Sequence, residues 1–180
     1  MLFRSPHDMD EATCAETRRD GEKAVGQFLE CLRESGYRVF HDVVGGSFNV
    51  DHMLIGPAGI FTIETKTHSK PIRGKATVIF DGDKISVNGS APDRDPVTQA
   101  KAQASWLRQL LIESTGRKFH VTAVISYPGW FVENKTSREA EVWVIEPKML
   151  PGFLDHEPAR LSTDNVNLAS FHLSRFIRSM

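Results

Sequence analysis

The feature that most constrains the fold of this chain is a pair of apolar segments joined by a tight turn. Val50–Ile55 is followed by Gly56-Pro57-Ala58-Gly59, and Ile60–Thr67 then runs from apolar residues into charged ones. Glycine and proline between two runs rich in β-branched and aromatic residues are typical of a turn between strands. The pattern therefore predicts an antiparallel hairpin over these residues.

Two acidic residues occupy matching places in that hairpin. Asp51 and Glu64 lie at equal distances along the chain from a turn centred on Pro57-Ala58, so they are expected to be cross-strand neighbours. Lys66 lies two residues beyond Glu64 and shares its side of the strand, because side chains alternate with a period of two. Charged groups beside apolar strands are costly unless they are paired or bind a metal ion.

Helices and further strands are predicted on both sides of the hairpin. Val25, Phe28, Leu29 and Leu32 form one apolar stripe of a first helix, which ends at Gly36. A second helix begins at Asp95-Pro96 and ends at Gly116, and a third covers Asn165–Ile177 with Thr163 or Asp164 as its N-cap. The remaining strand predictions are Tyr37–Val44, Thr77–Phe80, Lys84–Val87, Phe119–Ser126 and Glu141–Ile145.

The order of these elements predicts an α/β (α+β) fold. One helix is followed by three strands, a small hairpin, a helix, two strands and a last helix, which suits a mixed sheet flanked by helices. The length is that of one domain, expected over residues 18–180 behind a loose N-terminal extension over residues 1–17.

Composition limits which partners and which cellular compartment are expected for this chain. The chain has 22 Lys+Arg and 23 Asp+Glu, a formal net charge of −1, so a nucleic acid would have to be held by a local basic patch or through a metal ion. No apolar stretch approaches about 18 residues and the N-terminus has no secretory pattern, so no membrane contact is expected. Cys14 and Cys31 are interpreted as free thiols, which favours a cytoplasmic protein.

The acidic pair also predicts a kind of chemistry. Two neighbouring carboxylates repel each other and favour a cation, and oxygen ligands beside a phosphate substrate suit Mg²⁺ or Mn²⁺. The amine of Lys66 could then orient a water molecule or stabilise charge that develops on a phosphate oxygen.

These residues also carry a resemblance. The segment Asn49–Lys66, with its Asp51-His52, Gly56-Pro57, Gly59 and Ile63-Glu64-Thr65-Lys66, resembles the nuclease-related domain (NERD) family of the PD-(D/E)xK nuclease superfamily. Gly21-Glu22 is similar to the first-helix motif of that family, and Asp95-Pro96 with Gln99-Ala100 is similar to its second-helix motif. The resemblance covers about residues 18–155.

The resemblance implies a restriction-endonuclease-like core of order α-β-β-β-α-β and Mg²⁺-dependent hydrolysis of phosphodiester bonds in DNA. Asp51 and Glu64 would be the metal-binding pair, with Glu22 as an auxiliary acidic residue and the Thr65 backbone carbonyl as a further metal ligand. Lys66 would orient the water, and Gln99 would face the site from the second helix.

Other interpretations of the same residues stay open. Glu64 and Lys66 alone could be a surface ion pair, and the whole chain could be a non-catalytic nucleic-acid-binding or interaction module that retains the fold. Hydrolysis of a small phosphodiester or nucleotide is a third hypothesis. His52 is expected to point away from Asp51, whereas His68 could contact substrate. A partner protein or a second copy of the chain is expected as a further partner.

Six basic residues lie in segments that could surround the site and contact phosphate. Scattered solubilising charge is the equally weighted alternative for this set. Its members are Arg73, Lys75, Lys101, Arg108, Arg117 and Lys118.

Overall fold

The structure is a computed structural model that describes residues 20–136 and 140–180. The predicted N-terminal extension over residues 1–17, together with Cys14, lies outside the described residues. Cys31 is an exposed free thiol, as expected.

Helices and strands follow the predicted order. Helix α1 covers residues 20–30 within the described part and continues as a 3₁₀ turn, Cys31–Ser35. The strands are β1 Arg38–Val44, β2 Asn49–Gly56, β3 Gly59–Thr65, β4 Thr77–Phe80, β5 Ile85–Val87, β6 Val121–Ser126, β7 Phe131–Asn134 and β8 Val142–Ile145. The later helices are α2 Pro96–Thr115, α3 Leu150–Asp155, preceded by a 3₁₀ turn at Pro147–Met149, and α4 Thr163–Arg178.

Five strands form the central mixed sheet in the order β1-β2-β3-β6-β8. Strand β2 is antiparallel to both β1 and β3, whereas β3, β6 and β8 run parallel to one another. A second sheet has the order β5-β4-β7. The predicted mixed sheet flanked by helices is therefore confirmed, with a small three-stranded sheet as an addition.

Helices cover both faces of the central sheet, which is why every residue of β3 and β6 is buried. On one face, residues of α1 and its 3₁₀ turn, such as Leu29, pack with Leu54 and Phe61. On the other face, α2 and α4 pack against residues that include Met53 and Ile60. Within residues 20–136 and 140–180, no helix combines the length and apolar character needed to cross a bilayer.

Helix α2 begins and ends where the sequence predicts. The Val97 N–H donates to the Asp95 side chain, and Pro96 occupies the first turn. Gly116 ends the helix in the left-handed conformation with φ 70°. The buried residues of α2, which recur at helical spacing, set which side of the helix faces the sheet.

Three details of the prediction are wrong. The short helix α3, Leu150–Asp155, was not predicted. Strand β7 was not predicted: Phe131–Asn134 is short and mostly exposed, and it forms because it pairs in parallel with β4, which lies far away in sequence. The N-cap of α4 is Ser162 instead of Thr163 or Asp164, since the Ser162 hydroxyl accepts from the Asn165 N–H.

The end of the β2–β3 hairpin gives a test of the packing. A Cβ at Gly56 would lie 2.2 Å from Cδ1 of the buried Tyr37 ring, so Gly56→Ala should lower the free energy of unfolding by about 1–3 kcal/mol. In Gly152→Ala the new methyl meets nothing within 4 Å, and this control should stay within about 1 kcal/mol of the parent. Urea denaturation measures both, and equal stability of the two variants would contradict the packing.

Candidate functional site

The β2–β3 register brings Asp51 and Glu64 together. His52 pairs with Ile63 and Gly56 with Gly59, so the next position along the ladder places Asp51 opposite Glu64. The Thr65 backbone N–H donates to Asp51 Oδ2 over 2.7 Å. The cross-strand placement predicted from the distances to the turn is the placement in the structure.

Glu64 is only 7% exposed, and three side chains hold its carboxylate. Lys66 Nζ donates to Oε1 over 2.7 Å, and Gln99 Nε2 donates to the same oxygen over 2.8 Å. Gln103 Nε2 donates to Oε2 over 2.8 Å. Lys66 Nζ also donates to Gln99 Oε1 over 2.9 Å, which closes a triangle of hydrogen bonds.

Gln103 is a site residue that the sequence analysis missed. It lies one helical turn after Gln99 on α2, is 1% exposed, and also donates to the Asn49 backbone carbonyl over 3.0 Å. Its Oε1 has no hydrogen-bond partner among the described residues. The spacing of four residues from Gln99 was the available signal, because positions i and i+4 share one face of a helix.

The electrostatics of Asp51 reflect its burial beside a second carboxylate. Burial raises the pKa of Asp51 to about 7, and the charge of Glu64 adds to this effect. Glu22 acts in the same direction more weakly, whereas the Thr65 N–H and Lys66 favour the charged carboxylate and lower the pKa. Two carboxylates sharing this space would be stabilised by an added cation.

Asp51 and Glu64 open onto a cavity of about 540 Å³, called here the acidic cavity. Its wall also contains Glu22, Lys66 and Gln99, so all the predicted site residues line it. The complete lining is Glu22, Asp51, Glu64, Thr65, Lys66, Thr67, His68, Pro92, Asp93, Arg94, Pro96, Gln99 and Tyr127.

Glu22 reaches the acidic cavity from α1. A Cβ on the preceding Gly21 would lie 2.2 Å from Thr67 Cγ2, so the missing side chain lets α1 approach the end of β3 closely. Among residues 20–136 and 140–180, no three or more His, Cys, Asp or Glu side chains are grouped as a ready metal-binding set. Glu22 therefore lines the same cavity as Asp51 and Glu64, but the three carboxylates do not form a ready three-residue metal-binding cluster.

An aromatic wall and one arginine complete the cavity. His68, which the sequence analysis considered as a residue that could contact substrate, stacks on the buried Tyr127 with ring centroids 5.8 Å apart. Burial raises the pKa of Tyr127, so its hydroxyl stays protonated at neutral pH. Arg94 lines the acidic cavity and was not predicted, whereas none of the six basic residues considered from the sequence belongs to the lining.

His52 lies on the opposite face of β2, as predicted. It is buried, and its Nδ1 is 2.9 Å from His41 Nδ1. Burial lowers the pKa of His52 to about 4, with a further contribution from His41, so His52 is neutral at neutral pH. It is a packed and hydrogen-bonded histidine that does not line the acidic cavity.

Comparisons with known proteins support the sequence resemblance. No curated protein matches the chain. A solved structure of Pyrococcus furiosus SfsA in complex with Ca²⁺ aligns with 18% identity over 68% of this chain, with a TM-score of 0.31. The chain spans about half (52%) of that SfsA chain.

The nuclease-related domain family matches residues 17–128, more than half of the chain. The chain therefore belongs to the nuclease-related domain (NERD) family.

Proposed function

We propose that this protein is a metal-dependent nuclease that hydrolyses phosphodiester bonds of DNA. The observation that carries the proposal is the buried Glu64 carboxylate, bonded to Lys66 and placed across from Asp51 in one cavity. Membership of a nuclease-related family supports the same reaction class. The proposed activity is that of a protein acting in the cytoplasm.

The chemistry of the donor set fits Mg²⁺ or Mn²⁺. The ligands offered are the oxygens of Asp51, Glu64 and the Thr65 carbonyl, with Glu22 as an auxiliary carboxylate, and no sulfur lines the cavity. Magnesium is commonly held by one or two carboxylates together with water and substrate phosphate oxygens. When bound, the ion would supply a Lewis acid that lowers the pKa of water and offsets charge on a phosphate oxygen.

The residues of the chain orient the reacting groups. Lys66 is restrained between Glu64 and Gln99, so its ammonium can donate to a water molecule or to a non-bridging phosphate oxygen at a fixed place. Gln99 and Gln103 fix the plane of the Glu64 carboxylate. Arg94 is placed at the cavity wall to bind a phosphate next to the one that is cleaved.

A non-catalytic nucleic-acid-binding module is the second candidate function. It is motivated by the net charge of −1, which does not mark the chain as a DNA-cutting enzyme. Two cations, Lys66 and Arg94, face four carboxylates in the cavity lining, so such a module would hold nucleic acid outside the acidic cavity. Cleavage assays separate the two functions, because a binding module would retain nucleic acid without cutting it under any divalent metal.

Removal of either central carboxylate should abolish cleavage. Asp51→Asn and Glu64→Gln are each expected to reduce Mg²⁺-dependent cutting of plasmid and single-stranded DNA by about 10²-fold or more, and EDTA should do the same to the parent. Glu113→Gln, an exposed change on α2, is the matched control and should cut normally. Cleavage by the two site variants at the parental rate would exclude this pair as the metal site.

Gln103 should act as a positioning residue for Glu64. We expect Gln103→Leu either to raise the Mg²⁺ concentration needed for half-maximal cleavage or to lower the cleavage rate, by about 10–100-fold. Effects of this size are typical for groups that orient a metal ligand. The measurement is a Mg²⁺ titration of the cleavage rate, with Gln109→Leu, which contacts Glu113 on the exposed side of α2, as control. A Gln103→Leu variant that is merely less stable, with an unchanged Mg²⁺ midpoint and rate, would refute this role.

The raised pKa of Asp51 predicts a pH-dependent stability. Because the folded-state pKa, about 7, exceeds the ordinary value of 3.8, the buried charge costs stability progressively as the pH rises from about 4 to 7. Asp51→Asn should therefore raise the free energy of unfolding at pH 8, by on the order of 1–3 kcal/mol, and much less at pH 4. Thermal unfolding in EDTA at both pH values measures the difference.

Magnesium supplies the companion measurement. At pH 8 the ion should raise the Tm of the parent more than that of Asp51→Asn, since ligand binding stabilises only the chain that binds it. Equal Mg²⁺ shifts for the two chains would show that Asp51 is not a metal ligand. An Asp51→Asn effect that does not vary with pH would show that Asp51 is not buried as a charge.

A further inference from the structure

A second polar cavity lies far from the acidic cavity, between the edge strand β1 and helix α4. It has a volume of about 420 Å³ and is called here the arginine pocket. Residues from three parts of the chain meet in it, namely Arg33 from the 3₁₀ turn, Arg38 from β1, and Ser170, Phe171, Ser174 and Arg178 from α4.

The two cavities are separate. Arg38 pairs with Ile55, at the turn end of β2, whereas Asp51 lies at the other end of that strand. No residue lines both cavities. A ligand in the arginine pocket would therefore not occupy the space around Asp51 and Glu64.

The pocket carries an excess of positive charge. Arg33 is paired with Glu30 and also donates to the Val39 carbonyl over 2.9 Å, so its guanidinium is held in place. Arg38 and Arg178 have no ion pair within residues 20–136 and 140–180, and no carboxylate lines the pocket. Two arginines are thus available to an anion, and guanidinium groups match the geometry of phosphate oxygens.

A buried hydroxyl in the same pocket lacks a partner. Ser170 is 8% exposed, and its Oγ has no hydrogen bond within the described part of the chain. Leaving a buried hydroxyl unpaired is unfavourable, so rotation of the Ser170 side chain toward a ligand oxygen that accepts its proton would be favourable. Ser174 follows one helical turn later and adds a second hydroxyl to the pocket.

An exposed aromatic side chain lies beside these polar groups. Phe171 is 58% exposed and belongs to the lining of the pocket. Aromatic faces stack on nucleic acid bases, and such stacking does not depend on the base sequence. Arginines, hydroxyl groups and an aromatic face together match the phosphate and the base of one nucleotide unit.

We infer that the arginine pocket binds the phosphate group of a nucleotide unit at a site distinct from the acidic cavity. Arg38 and Arg178 bind the phosphate oxygens, Ser170 donates to one of them, and Phe171 contacts the base. The unit could be supplied by a free nucleotide or by a nucleic acid strand, since both present the same phosphate. This inference does not depend on whether the protein cleaves DNA.

The test measures binding to the full chain in EDTA, where no metal-dependent cleavage occurs. Inorganic phosphate, AMP and a short single-stranded DNA are titrated separately by calorimetry or NMR. Arg38→Gln and Arg178→Gln should each weaken phosphate and AMP binding about tenfold or more. Arg175→Gln removes the same charge from α4 outside the pocket lining and should leave binding unchanged.

Two further variants separate the parts of the pocket. Ser170→Ala should weaken the binding of phosphate, and Phe171→Ala should weaken the binding of AMP while leaving that of inorganic phosphate unchanged. Tighter binding of the DNA than of AMP, lost in Arg38→Gln, would assign the strand as the source of the phosphate, and the reverse order would assign a free nucleotide.

The outcomes that overturn the inference are definite. Absence of binding by all three probes would do so, as would equal losses in Arg38→Gln, Arg178→Gln and Arg175→Gln. Because the acidic cavity is tested by cleavage in Mg²⁺ with other variants, failure of one site is distinguishable from failure of the other.

Discussion

The structure around the site depends on the burial of one carboxylate. Glu64 lies in a strand whose residues are all buried, so its charge must be compensated locally. Lys66 supplies a cation and two glutamines of α2 supply neutral donors, which together engage both carboxylate oxygens. Because the two glutamine bonds cross from α2 to β3, rotation or sliding of α2 would break both of them and leave Lys66 as the one remaining donor to Glu64 among these three side chains.

The remaining fold serves to hold these groups in register. The tight turn at the end of the β2–β3 hairpin sets Asp51 across from Glu64, and the buried apolar stripe of α2 sets the rotation of that helix. On the other face, the missing side chain of Gly21 allows α1 to bring Glu22 to the same cavity. The raised pKa of Asp51 is the consequence first of its own burial and then of the neighbouring Glu64 charge.

Sequence reasoning succeeds where local periodicity controls the geometry. A hairpin with a two-residue turn has one register, so the pairing of Asp51 with Glu64 and the shared side of Lys66 follow from counting residues. Sequence reasoning fails where contacts between segments distant in the chain determine the geometry. Strand β7 forms only because β4 offers it an edge, and Gln103 gains its role only when α2 lies on β2 and β3.

The basic residues illustrate the same limit. From the sequence, six basic residues were candidates for a surface around the site. The acidic cavity contains Arg94 instead, because the segment just before α2 lines the cavity together with the end of β3. The arginine pocket joins Arg38 with Arg178, which are separated by most of the chain, so no local pattern could bring them together.

The most direct measurement of the central claim is anomalous diffraction from crystals soaked in Mn²⁺. The proposed metal site predicts an anomalous peak in contact with carboxylate oxygens of both Asp51 and Glu64, with the Lys66 amine alongside, and loss of that peak in Glu64→Gln. A peak confined to other residues, or no peak at Mn²⁺ concentrations that support cleavage, would contradict it.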